Sequence, residues 1–135
     1  MDYKEYMKPF EEWLTAQGLS RKTMRRTLNR TEAFLDYLAY HSDLDAEDEV
    51  PVTNELLSEG ERFLGKFFGY YMYHNLLASV GTMGEYAGSV RKLYKWLALN
   101  GNVSRETAEG VIKRISSESS VWRENLRDYE ADEED

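Results

Sequence analysis

A chain of 135 residues fits one domain and is long enough to bury a real core. It has no cysteine, which excludes disulfides, zinc–thiolate sites and thiol nucleophiles and suits a reducing cytoplasm. The net charge of −8, from 25 acids against 17 bases, looks hostile to nucleic acid until its distribution is read.

The pattern along the chain is helical. Its two prolines, Pro9 and Pro51, sit in no strand-like run, and no two-residue alternation calls for a sheet. The first helix carries Tyr6, Phe10, Trp13 and Leu14 on one face. Pro9 is expected in its first turn and Gly18 at its left-handed C-cap. Ser20 is the N-cap of a second helix running to about His41, with Met24, Leu28, Leu35 and Leu38 as its apolar stripe. A loop over 43–52 follows, dense in acids and closed by Pro51. Thr53 caps a third helix that buries Leu56, Leu57, Phe63, Leu64, Phe67, Phe68 and Tyr71. Its Gly60, Gly65 and Gly69 imply close helix contact or a break near Gly69. Residues 75–82 read as a connection.

The fourth helix is expected from near Thr82, with Met83, Tyr86, Val90, Leu93, Tyr94 and Leu97 inward and Asn100-Gly101 as its end. Ser104 caps a fifth, with Ala108, Val111, Ile112 and Ile115 on one side. Residues 116–120 are expected to loosen the chain before a last amphipathic turn or two through Trp122, Leu126 and Tyr129. Disorder is expected over 130–135. The expected architecture is therefore all-α, a compact bundle of four to five helices over 1–118 with an acidic extension over 119–135. Residues 67–84 lack charge over 18 positions, but His74, Asn75, Ser79, Thr82 and three glycines break that run, so no membrane span is expected.

Nothing in the chain nominates a catalytic centre, a cofactor or a small-molecule substrate. His41 and His74 have no second histidine at ligand spacing, so no metal site is expected. The loop acids Asp43, Asp45, Glu47, Asp48 and Glu49 have the composition of calcium ligands without the turn glycine or the spacing of an EF-hand. Gly81-Thr-Met-Gly84 lacks the Lys-Ser or Lys-Thr of a phosphate-binding loop.

Charge distribution is the informative feature. Residues 43–61 hold eight acids and 128–135 hold six, with no base in either, while the remainder carries 17 bases against 11 acids. On a helical wheel, Lys22, Arg25 and Arg26 oppose the stripe of the second helix, with Arg21 and Arg30 toward its margins. Arg91, Lys92 and Lys95 face outward on the fourth helix. Cationic faces backed by apolar ones suit the phosphates flanking the major groove. The two acidic stretches read either as solubility, including in a salty cytoplasm, or as a mask over that basic surface.

The run Phe10-Glu-Glu-Trp-Leu14, then Gly18-Leu-Ser20, Thr23, Phe34 and Tyr37-Leu38, resembles the opening of the core-binding domain of tyrosine recombinases (phage integrases). Val52-Thr53, then Thr82, Tyr86, Val90, Leu93-Tyr94, Trp96-Leu97, Gly101 and Val103 are similar to its second half, and the likeness covers roughly 5–115. The resemblance implies a SAM-like bundle that forms one jaw of a clamp on duplex DNA, with the second and fourth helices at the major groove. It would place Arg21, Lys22, Arg25, Arg26, Arg30, Arg91, Lys92 and Lys95 on DNA, in a protein of DNA integration and recombination.

The chain departs from the family at Thr27 and Thr31, where an aromatic and an aliphatic residue are usual, and at Asn102-Val-Ser104, where Asn-Pro often stands. His41 is followed by Ser-Asp-Leu and His74 by Asn-Leu-Leu, so the family's His-x-x-Arg is absent and no strand cleavage carries over. The expectation is a non-catalytic, cytoplasmic DNA-binding module, either stand-alone or part of a longer recombinase. The alternative is a protein-interaction or regulatory module, a recombinase partner or DNA mimic, acting through its acidic ends.

Overall fold

The computed structural model describes residues 4–76 and 79–134, the last five as backbone, and every regular element among them is helical. Helix α1 (Lys4–Ala16) buries Tyr6, Phe10 and Leu14, and Gly18 ends it at φ 81°. Pro9 lies inside this helix rather than in its first turn as expected.

Helix α2 (Arg21–His41) starts where Ser20 accepts a hydrogen bond from the Thr23 amide at 3.2 Å. Its buried face is turned from the expected stripe. Met24 and Leu28 are only half-buried, while Thr27, Thr31, Phe34, Leu35, Tyr37, Leu38 and Ala39 go inward. Thr27 satisfies its hydroxyl on the Thr23 carbonyl at 2.9 Å, whereas the buried Thr31 hydroxyl has no partner among the described residues.

The expected third helix is broken into pieces. Thr53 caps α3 (Asn54–Ser58) as expected, by accepting from Leu56 N–H at 3.1 Å. A 3₁₀ turn (Gly60–Phe63), α4 (Leu64–Lys66), a π-helical turn (Phe67–Tyr71) and α5 (Met72–Leu76) follow. Both readings of its glycines hold. Gly60 lies where a Cβ would stand 1.8 Å from the Tyr94 hydroxyl, and Gly69 falls within the π turn.

Helix α6 (Val80–Leu99) begins earlier than expected, because Ser79 and Thr82 form a reciprocal capping box. Thr82 is the third residue of the cap, not its start. Asn100 and Gly101, at φ 80°, end it as expected.

Helix α7 (Arg105–Glu134) starts at Ser104, which accepts from the Thr107 amide at 3.0 Å. It runs unbroken through 116–120, where loosening was expected, and on to Glu134, into the stretch expected to be disordered. The reason is side-chain spacing. Ile115, Trp122 and Leu126 continue the buried stripe of Val111, so the serines fall between anchors. The expected division at 118/119 has no counterpart in the packing, because Trp122 and Leu126 belong to the same core as Phe10.

That core is aromatic. Phe10, Phe34, Phe67, Phe68 and Tyr94 are fully buried, each such side chain contributing ~1.5–3 kcal/mol by burial. Of the large residues expected inside, Leu35, Phe63, Phe67, Leu93 and Leu97 are buried, while Trp13 and Leu28 are only half-buried. Among the described residues, no helix is long and apolar enough to cross a membrane.

Candidate nucleic-acid interface

The first half of α2 lies on the surface. Arg21, Lys22, Arg25 and Arg26 are exposed and line one shallow depression together with Asn29. Arg21 and Arg25 also reach its other flank, beside Glu11 of α1, Met24 and Leu28. No acid occurs between Arg21 and Arg30 to offset these charges.

Helix α6 packs against α2. Arg30 meets Glu85 at one end, and Thr23 shares a groove with Lys92 toward the other. Arg26, Thr27, Arg30, Glu85, Gly88, Ser89 and Lys92 line this groove with Thr23, in a volume of about 280 Å³. Its floor is low because Gly88 presents bare helix backbone, and a Cβ there would meet nothing within 4 Å. The Ser89 hydroxyl turns back onto the Glu85 carbonyl at 3.0 Å, so the charged chemistry of the groove is its three cations and the half-exposed Glu85 carboxylate.

The eight expected contact residues thus fall into three sets. Arg21, Lys22, Arg25 and Arg26 form the exposed ridge of α2. Arg26, Arg30 and Lys92 converge across the groove, although Arg30 is engaged. Its guanidinium is 2.6 Å from a Glu85 carboxylate oxygen and 5.7 Å from the centre of the Tyr86 ring. Lys95 is exposed one turn past Lys92, whereas Arg91 is half-buried and shares a face with Gly84, two turns away. A Cβ on Gly84 would lie 3.7 Å from the guanidinium of Arg123 on α7. Arg91 therefore stands toward α7, outside the groove.

The wheel could not show Glu85, Thr23, Gly88 or Arg123. Arg123 follows Trp122 on a helix whose own pattern has no basic face, so its place beside Gly84 is a tertiary fact.

The charges of α2 run against its macrodipole. Its first turn holds cations and no acid, and five acids follow its C-terminus over 43–49. Each misplaced charge costs ~0.3–1 kcal/mol near a helix end at low ionic strength. Such a distribution is not what stability alone selects.

His41, at the end of α2, and His74, in α5, are exposed and pack on tyrosines. His41 lies 5.5 Å from Tyr37 and 5.0 Å from Tyr71, and His74 lies 4.1 Å from Tyr70. Among the described residues, no group of three or more His, Asp or Glu side chains is placed to hold a metal. No protein-family model, curated protein or solved structure matches the chain.

Proposed function

We propose that this chain is a non-catalytic duplex-DNA-binding module of the cytoplasm, resembling the SAM-like core-binding domain of tyrosine recombinases. One observation carries the reading: Arg26 and Arg30 of α2 and Lys92 of α6 converge on a single groove beside the exposed ridge of Arg21, Lys22 and Arg25. Two adjacent helices offering cations over one low floor match a sugar–phosphate backbone better than a compact ligand. The resemblance to recombinases singles out the same two helices on residues other than these cations. The cost of placing cations at the start of α2 supports a role for them outside the fold. Arg30 joins the contact by exchanging Glu85 for a phosphate.

The test is binding of a labelled duplex titrated against salt. Each neutralised phosphate contributes a log–log slope of about −0.9, so about five contacts weaken binding roughly several hundred-fold between 50 and 200 mM salt. Arg26→Ala and Lys92→Ala each reduce the slope by about 0.9 if their phosphate contacts are lost. Absence of binding at low salt overturns the reading. It would favour the protein-interaction alternative, whose support is the exposed acidic loop over 43–49.

A further inference from the structure

The basic ridge occupies the first turns of α2. Its last turns, roughly 20 Å away along the helix, meet a surface of different character. There Tyr37 and His41 of α2 and Tyr70 and Tyr71 of the π turn line a cleft of about 260 Å³, together with Leu44 and Lys66. The rings fall into two groups. Tyr37, His41 and Tyr71 pack on one another with centroids 4.9, 5.0 and 5.5 Å apart, while Tyr70 leans on His74 at 4.1 Å. The π turn sends Phe67 and Phe68 into the core and leaves Tyr70 57% exposed. Such turns occur often at functional sites.

The charge around the cleft is negative. Leu44 is 80% exposed and stands in the loop over 43–49, whose five acids are all exposed. The Val50 amide donates to the Ala39 carbonyl at 2.8 Å, which holds this loop against the end of α2. A carboxylate stands near the rings as well, because burial first and then Asp36 raise the pKa of Tyr71. The C-terminus of α2 adds its own partial negative charge. Among the described residues that line the cleft, Lys66 alone is a lysine or arginine, and it is exposed.

We propose that this cleft receives an arginine side chain from a basic segment of a partner protein. The guanidinium lies against the tyrosine rings, whose faces are negative, and its outer N–H groups reach the carboxylates of the 43–49 loop. Arginine fits better than lysine because its planar, weakly hydrated head stacks and donates at once. Leu44 packs on an aliphatic neighbour of that arginine. The ridge of a second copy is a poorer occupant, because Met24 and Leu28 beside its arginines are half-buried and would leave Leu44 uncovered. A cationic partner also relieves the repulsion between the loop acids and the end of α2, which the isolated fold bears. The cleft shares no residue with the ridge or with the groove between α2 and α6, and the inference does not depend on DNA binding.

The test titrates the full chain into a short, blocked, labelled peptide of alternating arginine and leucine, at about 150 mM salt, where charges are screened beyond about 8 Å. Two further peptides carry lysine, or citrulline as the uncharged isostere, in place of arginine. Binding is expected to be tightest for arginine, weaker for lysine and weakest for citrulline. Tyr70→Ala is expected to weaken arginine binding about two- to fivefold and to narrow its lead over lysine. Lys66→Gln is expected to tighten it, by up to about fivefold. Both residues are exposed, and unchanged helical circular dichroism confirms that each variant folds. Arginine and lysine peptides that bind equally, with Tyr70→Ala without effect, would mean that the acidic loop attracts cations without the cleft, and overturn the proposal. Citrulline binding as tight as arginine, or no binding of any peptide, overturns it too. Self-association of the free chain that is lost in Tyr70→Ala would give the cleft to a second copy instead.

Discussion

The segment from Thr53 to Leu76 and the pair α6–α7 face each other across the core, yet one is fractured and the other is regular. Both carry glycine, three in the first and four in the second, so glycine alone does not separate them. Anchoring does. The fractured segment is held at fixed points. The Tyr94 hydroxyl donates to the Leu57 carbonyl at 2.7 Å, Gly60 lies against that same hydroxyl, and Phe68 stacks on Trp122 with centroids 4.8 Å apart and planes 16° from parallel. Contacts to two different helices set its geometry turn by turn, and the 3₁₀ and π turns absorb the mismatch between those anchors and a 3.6-residue period. Helices α6 and α7 anchor mainly to each other along continuous stripes, so their own period is satisfied.

Trp122→Ala breaks this comparison most directly. Losing a buried tryptophan costs about 3–5 kcal/mol, as contacts vanish and a cavity is left. The damage is expected to be local to the fractured segment and the adjoining stretch of α7. Hydrogen exchange in the variant should speed up over Phe67–Tyr71 and beyond 116 before it does in α2. Uniform loss of protection across all helices would show that the fractured segment is no weaker a unit than the rest.

Gly60→Ala comes next. The new Cβ would fall on the Tyr94 hydroxyl, which is buried and cannot swing into solvent, so about 1–3 kcal/mol is expected from overpacking. Tyr94→Phe removes the clashing oxygen but orphans the Leu57 carbonyl, itself a cost of about 1–3 kcal/mol. The double variant is therefore expected to be less destabilised than the two single costs added together. Strict additivity in thermal melts would mean the two positions do not share one space.

The buried tyrosines also set a pH limit. Burial raises the pKa of Tyr94, and burial first, then the neighbouring Tyr71, raises that of Tyr37. Tyr71 is raised by burial and by Asp36, and Tyr6 by burial and by Glu5. A phenol whose folded pKa lies above its unfolded value contributes fully below the unfolded value, about 10, and loses that contribution as pH rises through the folded one. The melting temperature is expected to hold near neutrality and fall above about pH 10, less steeply in Tyr94→Phe. An alkaline limb of equal slope in that variant would shift the effect to other groups.

The comparison also explains what could be read in advance. Capping is local chemistry, and Gly18, Ser20, Thr53, Gly101 and Ser104 do at their helix ends what their residue types announce. Tertiary choices are not local. The inward turn of α2 onto Thr27 and Thr31 escapes a reading that looks for apolar stripes, because a threonine inside a helix looks like surface. The serines over 116–120 looked like a break because they are polar and small, although the seven-residue step from Ile115 to Trp122 already carried the stripe past them. At the candidate interface, each helix's outward cations were legible on a wheel. The ion pair of Arg30 with Glu85 and the placement of Arg91 toward α7 depend on which helix lies alongside, and no single-helix pattern contains that.

Gly88→Ala is the smallest change in stability and sharpens the comparison from the regular side. Gly88 sits inside α6, where alanine is the better helix former, and its Cβ would meet nothing within 4 Å. The substitution is expected to stabilise the fold by about 0.4–1 kcal/mol, because the unfolded chain loses freedom and the folded one suffers no clash. The regular arm thus gains from a methyl group that the fractured segment, at Gly60, cannot accept. The same methyl group rises from the floor of the groove shared by Arg26, Arg30 and Lys92. A phosphate backbone seated there would be lifted away from those cations, so duplex affinity is expected to fall while the melting temperature rises. That opposition separates the groove from the ridge. A variant that melts higher and binds DNA as before would route the phosphates along Arg21, Lys22 and Arg25, with Arg30 left to Glu85.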